Sequence, residues 1–165
     1  MKFFMDLSSC FGPGTKVREN VVIDDHVIIG DNCFIGANTV IRSGVRIGDN
    51  VVIGHNVVIE QNVIIQSCST VQSQCHITTG VKIGSNVFFG PGVITTNDKR
   101  MVRYLEEEYF EQPPIFKNGC RIGGGASIAP GVTVGMNALI GTGSVVIKNV
   151  PDGAVVYGVP AKERK

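Results

Sequence analysis

Stepping through the chain six residues at a time from Phe11 reaches an apolar residue at fourteen successive stops, from Phe11, Val17 and Ile23 through Ile77, Ile83 and Phe89. The phase returns at Ile122, Ile128, Val134, Ile140 and Val146. The fifth residue of each hexad is small or β-branched, as at Thr15, Val21, Cys33, Val93, Ala126 and Ser144. The fourth is mostly Asn or Gly, as at Asn20, Asn32, Gly44, Asn50, Asn86 and Gly92, and the second is often Gly.

That pattern predicts a short strand and a bend in every hexad. Large and small inward residues alternate with outward ones, as the two-residue period of a strand requires. Asn and Gly mark the bend because they accept a positive φ with little penalty. Three such sides close a triangular coil, and coils stack as parallel sheets at about 4.8 Å. Some twenty hexads then give six to seven coils, a stack roughly 30 Å tall at that spacing. The expected organisation is one domain over 1–165: a cap at 1–10 with Phe3, Phe4 and Leu7, coils at 11–96 and 116–151, and a tail at 152–165. The period leaves the hand open, since parallel crossovers are usually right-handed.

Composition agrees with a globular β-protein: 43 % hydrophobic and 18 % charged residues, with 21 glycines and no tryptophan. A formal net charge of +1 gives no electrostatic case for nucleic acid or an anionic membrane as partner. The five cysteines show no CxxC spacing, so neither a disulfide framework nor a zinc site follows. Asp6 interrupts the N-terminal apolar residues, and no stretch reaches a membrane span of about 18 apolar residues. The expectation is a reduced, cytoplasmic protein without a metal.

The repeat breaks once. The hexad beginning at Thr95 fails after Thr96, and Asn97–Ile115 follows before the pattern resumes at Phe116. These 19 positions hold eight of the chain's 29 charged residues, together with Tyr104, Tyr109 and Phe110. Solenoids extrude insertions as loops on one face, often the binding face. A helical turn is expected at Tyr104–Phe110.

The tandem pattern in IGDNCFIGANTVI and IGSNVFFGPGVI resembles the hexapeptide-repeat acyltransferases. That resemblance implies an all-β fold, a left-handed parallel β-helix, with acetyl-CoA as co-substrate and a homotrimeric assembly. Outward aliphatic residues such as Val22, Ile28, Val52 and Ile64 suit a face that seeks a partner. VFFGPGVITTND, the charged loop, PPIFKNGCRIGGGASIAPGVTVG and the GVPAK ending are similar to the sugar-nucleotide N-acetyltransferase branch. The activity implied is acetyl transfer to the amino group of a nucleotide-linked amino sugar, for surface polysaccharide. The alternatives are O-acetylation of a sugar hydroxyl and a scaffold that kept the fold without chemistry.

Residues eighteen apart stack vertically in such a coil. Asn97 then lies above Thr79 and Gln61, Thr96 lies above Thr78 and Glu60, and His76 precedes that corner. Acyl transfer to an amine needs a proton acceptor and positioned donors. His76 is the candidate base, with Asn97 beside it, while Glu60, Gln61 and Asp98 are candidates for binding the amino sugar. His55 lies at a different corner, under Ser73 and Pro91, and can reach the site only from a neighbouring subunit. His26 reads as a bend residue. The resemblance assigns Gly124 and Thr142 to the pantetheine arm through their amides, with Lys148, Lys162 and Arg164 meeting the CoA phosphates. Zinc anhydrases on such solenoids need a close histidine pair, whereas His26, His55 and His76 are 29 and 21 apart.

Overall fold

The computed structural model describes residues 10–101 and 110–164, together with the backbone of Phe4 and Met5. Each two-residue strand of the coils consists of the last residue of one hexad and the first of the next, as in Val22–Ile23 or Val58–Ile59. The strands collect into three faces. The first runs from Phe4–Met5 up to Val145–Val146 and holds eight strands, including Val58–Ile59, His76–Ile77 and Ile94–Thr95. The second holds seven, from Cys10–Phe11 to Thr133–Val134, and the third holds nine, from Lys16–Val17 to Ala161–Glu163. Pairing within the coils is parallel, in the left-handed β-helix expected. Partners are eighteen residues apart in the coils, except across the break, where Lys82 pairs with Ile115, and at the top, where Leu139 pairs with Val155.

The inward residues pack as the period requires. The first-slot residues Ile35, Ile41, Ile53, Ile59 and Ile77 and the fifth-slot residues Val45, Val51, Val57 and Val63 are all fully buried. Fourth-slot residues turn the chain. Asparagines there adopt φ between 54° and 59°, and His26, Cys68 and Gln74 accept the same geometry at 56°, 63° and 64°. His26 is therefore a bend residue, as the sequence suggests. Polar fifth-slot residues have a further use. Thr39 Oγ1, Ser69 Oγ and Cys75 Sγ donate to the carbonyl oxygens of Gly54, Gly84 and Gly90 in the layer above, at 2.9, 2.8 and 3.2 Å. Buried carbonyls at the corners thus gain partners from inside the coil.

The stack is taller than the repeat count alone gives. Phe4–Met5 pairs beneath Val22–Ile23, and Val155–Gly158 pairs above Leu139–Ile140, so both chain ends add strands rather than only covering the coil. The physical reason is the open edge of a parallel ladder, whose unpaired amides and carbonyls recruit any extended segment within reach. Ala161–Glu163 then returns antiparallel to Val155–Gly158. Phe3, Leu7 and, except for Phe110, the helical turn expected at Tyr104–Phe110 lie outside the described residues.

Two outcomes follow. Replacing Ile59 by Ala removes a fully buried side chain from the middle of the stack and is expected to cost about 2–5 kcal/mol in urea unfolding. Burial pushes the Cys75 and Cys120 thiols up to about 11 and about 12, and raises Cys33 as well. A disulfide reagent at about pH 8 should therefore label exposed Cys10 and Cys68 in the folded chain, and all five thiols only after denaturation.

Candidate active site

The three corners are built differently. On the second and third faces the second slot is mostly glycine, because backbone of the next layer passes close by. A Cβ at Gly54 would lie 2.4 Å from the Ser73 nitrogen, and one at Gly123 2.4 Å from the Thr142 nitrogen. Between the first and second faces the second slot instead carries side chains: Asp24, Arg42, Glu60, Thr78 and Thr96 in successive layers. The third slot there reads Asp25, Ser43, Gln61, Thr79 and Asn97.

These side chains bond vertically. Arg42 Nη1 meets Asp24 Oδ2 at 3.4 Å, and Ser43 donates to Asp25. Higher up, Thr79 Oγ1 donates to Gln61 Oε1 at 3.2 Å, and Asn97 Nδ2 donates to the Thr79 carbonyl at 3.5 Å. His76 stands on the first face between Val58 and Ile94, with Nε2 3.8 Å from Glu60 Oε1. That separation is longer than a hydrogen bond yet close enough for a protonated imidazole to pair with the carboxylate. The structure thus gathers Glu60, Gln61, His76, Thr78 and Asn97 at one corner.

Asp98 follows Asn97 directly. Its Oδ1 accepts the Arg100 amide at 2.8 Å, which places it at the root of the loop. The loop's two described ends meet where the Arg100 guanidinium lies 5.5 Å above the Phe110 ring. Gln112 then takes up the vacated place in the ladder: its amide donates to the Asn97 carbonyl at 2.8 Å, and its carbonyl accepts the Gly131 amide at 2.6 Å. The column is sewn shut around the excursion.

Gly124 and Thr142 occupy the corner between the third and first faces, in one column with His55, Ser73 and Pro91. Low in this column, third-slot side chains accept the amides of the layer beneath. His55 Nδ1 accepts the Ala37 amide at 2.9 Å, and Ser73 Oγ accepts the His55 amide at 3.0 Å. Higher up, the Ser73, Gly124 and Thr142 amides meet no such acceptor among the described residues. This leaves the upper amides of the column without the acceptor that the lower ones have. His55 has one ring nitrogen committed to the coil, and only Nε2 remains for any other contact.

Of the basic residues expected to meet the CoA phosphates, Lys162 pairs with Tyr157, which lies over Gly141, whereas Lys148 is placed elsewhere. Lys148 follows Val145–Val146, so it stands at the opposite edge of the first face. It shares a cleft of about 280 Å³ with Lys162, Glu163 and Asn149 at the top of the stack. Arg164 continues the last strand, its amide bonded to the Val155 carbonyl at 2.8 Å. Lys148 and the tail's Lys162 and Arg164 thus approach the top of the stack from different faces.

Among the described residues no group of three or more His, Cys, Asp or Glu is placed to hold a metal, and no helix is long and apolar enough to cross a membrane. The contrast between corners runs through the sequence as well. It is visible by reading the second slot of every third hexad, where glycine gives way to charged and hydroxyl residues. Gln112 and the Arg100–Phe110 clasp carried no periodic signal.

The chain matches the bacterial transferase hexapeptide (six repeats) family over residues 11–43, 26–61, 38–73 and 113–148. It is 34 % identical over 67 residues to a galactoside O-acetyltransferase of Lactococcus lactis, covering 41 % of this chain and 30 % of that one. It is 46 % identical over 50 residues to a 2,3,4,5-tetrahydropyridine-2,6-dicarboxylate N-acetyltransferase of Staphylococcus aureus, covering 30 % and 21 %. The chain thus spans less than a third of the length of these curated relatives. Its fold is similar to the crystal structure of an N-acyltransferase from Bacillus cereus in complex with dTDP-4-amino-4,6-dideoxyglucose and coenzyme A. That match has a TM-score of 0.71 at 16 % identity and covers 96 % of this chain and 84 % of the other.

The role of His55 in the column is open to measurement. Phe in place of His55 removes the acceptor for the Ala37 amide and should lower stability by about 0.5–1.5 kcal/mol. Asp at the same position, as at Asp49 in another corner, keeps an acceptor there and should restore most of the loss in urea unfolding.

Proposed function

Because the chain belongs to the bacterial transferase hexapeptide family, we propose that it moves an acetyl group from acetyl-CoA to the amino group of a nucleotide-linked amino sugar. The observation that carries this reading is His76 beside Glu60, on a corner of hydrogen-bonding side chains directly under the loop. The amine attacks the thioester carbonyl, a C–N bond forms, the C–S bond breaks and CoA leaves as the thiol. His76 Nε2 takes the proton that the nitrogen sheds, Glu60 stabilises the resulting imidazolium, and the same proton then passes to the leaving sulfur. Gln61, Asn97 and Asp98 orient the sugar, and His55 Nε2 contributes from a neighbouring subunit.

The donor lies along the corner where the Gly124 and Thr142 amides are unengaged. Two carbonyls of the pantetheine arm suit such a column of donors. Lys162 and Arg164 meet the CoA phosphates near the top of the third face, and Lys148 does so from the far side of the cleft. The first face separates the two corners within one chain. A homotrimer resolves this by setting one subunit's Gly124 corner against its neighbour's His76. The product enters surface polysaccharide, made in the cytoplasm from nucleotide-linked sugars.

Similarity to a galactoside O-acetyltransferase favours a second reading, transfer to a sugar hydroxyl. A hydroxyl acceptor has a stricter need for the His76–Glu60 pair. Thiol release from acetyl-CoA against a panel of nucleotide-linked amino sugars and plain galactosides decides between them. The expected result is turnover with an amino sugar, the acetyl located on nitrogen by mass spectrometry, and kcat about 10²–10⁴-fold lower in H76A. Turnover with galactosides alone would establish the hydroxyl reading. A folded chain that neither binds acetyl-CoA nor releases thiol is a scaffold, and a stable monomer in sedimentation excludes the shared site.

A further inference from the structure

We propose that Thr95 is a positioning residue for His76, acting through a hydroxyl that replaces a backbone carbonyl in the ladder between their two strands. This rests on the reading of His76 as the group that takes the amine's proton. Thr95 fills a first slot, the place held in the other coils by Val, Ile or Phe, and it is fully buried. The same turn of the coil contains Phe89 and Phe116, whose rings meet edge to face at 4.7 Å. Valine has the shape of threonine and would fill that slot equally well. The oxygen is what needs explaining.

On the rest of this face the second-slot amide donates to the first-slot carbonyl of the layer above. Arg42 N bonds the Ile59 carbonyl at 2.9 Å, Glu60 N the Ile77 carbonyl at 2.9 Å, and Thr96 N the Ile128 carbonyl at 3.0 Å. At Thr78 the pattern changes: its amide donates to Thr95 Oγ1 at 2.8 Å. The same oxygen lies 3.0 Å from Thr78 Oγ1 and 3.4 Å from the His76 carbonyl, so its proton has an acceptor on that strand.

Strand pairing records the same change. Val58–Ile59 and His76–Ile77 pair at both residues, but His76–Ile77 and Ile94–Thr95 pair only at His76 and Ile94. Pairing is complete again one layer up, between Ile94–Thr95 and Ser127–Ile128. The lapse is therefore confined to the interval between His76 and Thr78, the two outward groups that stand over Glu60 and its corner. The hydroxyl leaves Cα in a different direction from the carbonyl, so the Thr78 amide is held to Thr95 differently from the second-slot amides of the other layers.

Thr95→Val and Thr95→Ser test this. Without the oxygen, the Thr78 amide returns to the carbonyl of residue 95, as in the other layers. Thr95→Val should therefore fold and melt at or above the wild-type temperature. Its kcat should fall at least about tenfold at unchanged KM for acetyl-CoA, because small misplacements of reacting groups are costly. The His76 imidazole resonances, assigned by their loss in H76A, should shift in Thr95→Val and not in Thr95→Ser, which should also keep its turnover. Wild-type kcat with unmoved resonances in Thr95→Val overturns the proposal. So does a melting temperature well below wild type, which makes the hydroxyl a bond of the fold. If the wild-type protein acetylates nothing, the proposed function fails, and the His76 resonances still decide whether Thr95 sets that side chain.

Discussion

The coils of this protein are held together by backbone hydrogen bonds between strands in register eighteen places apart on either side of the break, and this vertical registry governs the rest. Each bond is individually modest. Repeated at every strand of three faces, they fix the rise at about 4.8 Å per layer and leave side chains no freedom to change column. A residue's neighbours above and below are set by its slot. Vertical contacts such as Thr79 on Gln61, or Ser73 on His55, follow from the ladder without any loop needing to place them.

That registry also divides the surface by task. Where glycine holds the second slot, layers approach closely and the corner is mostly main chain. Where it does not, as in the column through Asp24, Glu60 and Thr78, the corner becomes a ladder of side chains. The proposed donor and acceptor regions fall on corners of opposite kinds: unengaged main-chain amides at one, carboxylate, amide and imidazole groups at the other. Both border the first face, on which His76 stands among Val58 and Ile94.

The coil, its bends and its inward residues could be read almost completely from sequence, because one period repeats each constraint about twenty times. Stacking of Glu60, Gln61, Thr79 and Asn97 was legible for the same reason: the ladder obeys a single integer. Reading became unreliable where the integer changes. Across the break the offset between partners grows to that of Lys82 and Ile115, and Gln112 enters a column that no six-residue count assigns to it. Lys148 could have been placed, since its hexad keeps the phase, but the basic tail invited grouping by charge. Thr95 was hidden for another reason. A β-branched residue in a strand slot looks like its aliphatic neighbours, and only the hydrogen-bond pattern separates a threonine that packs from one that accepts an amide. The hand came from resemblance, because the usual crossover preference points the other way.

The antiparallel return of Ala161–Glu163 bears on how long such an object can become. A stack of parallel layers has no intrinsic end, and a second copy set on its upper edge in the same direction would continue all three faces into a filament. The reversed strand occupies the upper edge of the third face with the wrong polarity for that addition, and Lys162 and Glu163 lie exposed upon it. One short hairpin thus closes the third face to such an addition.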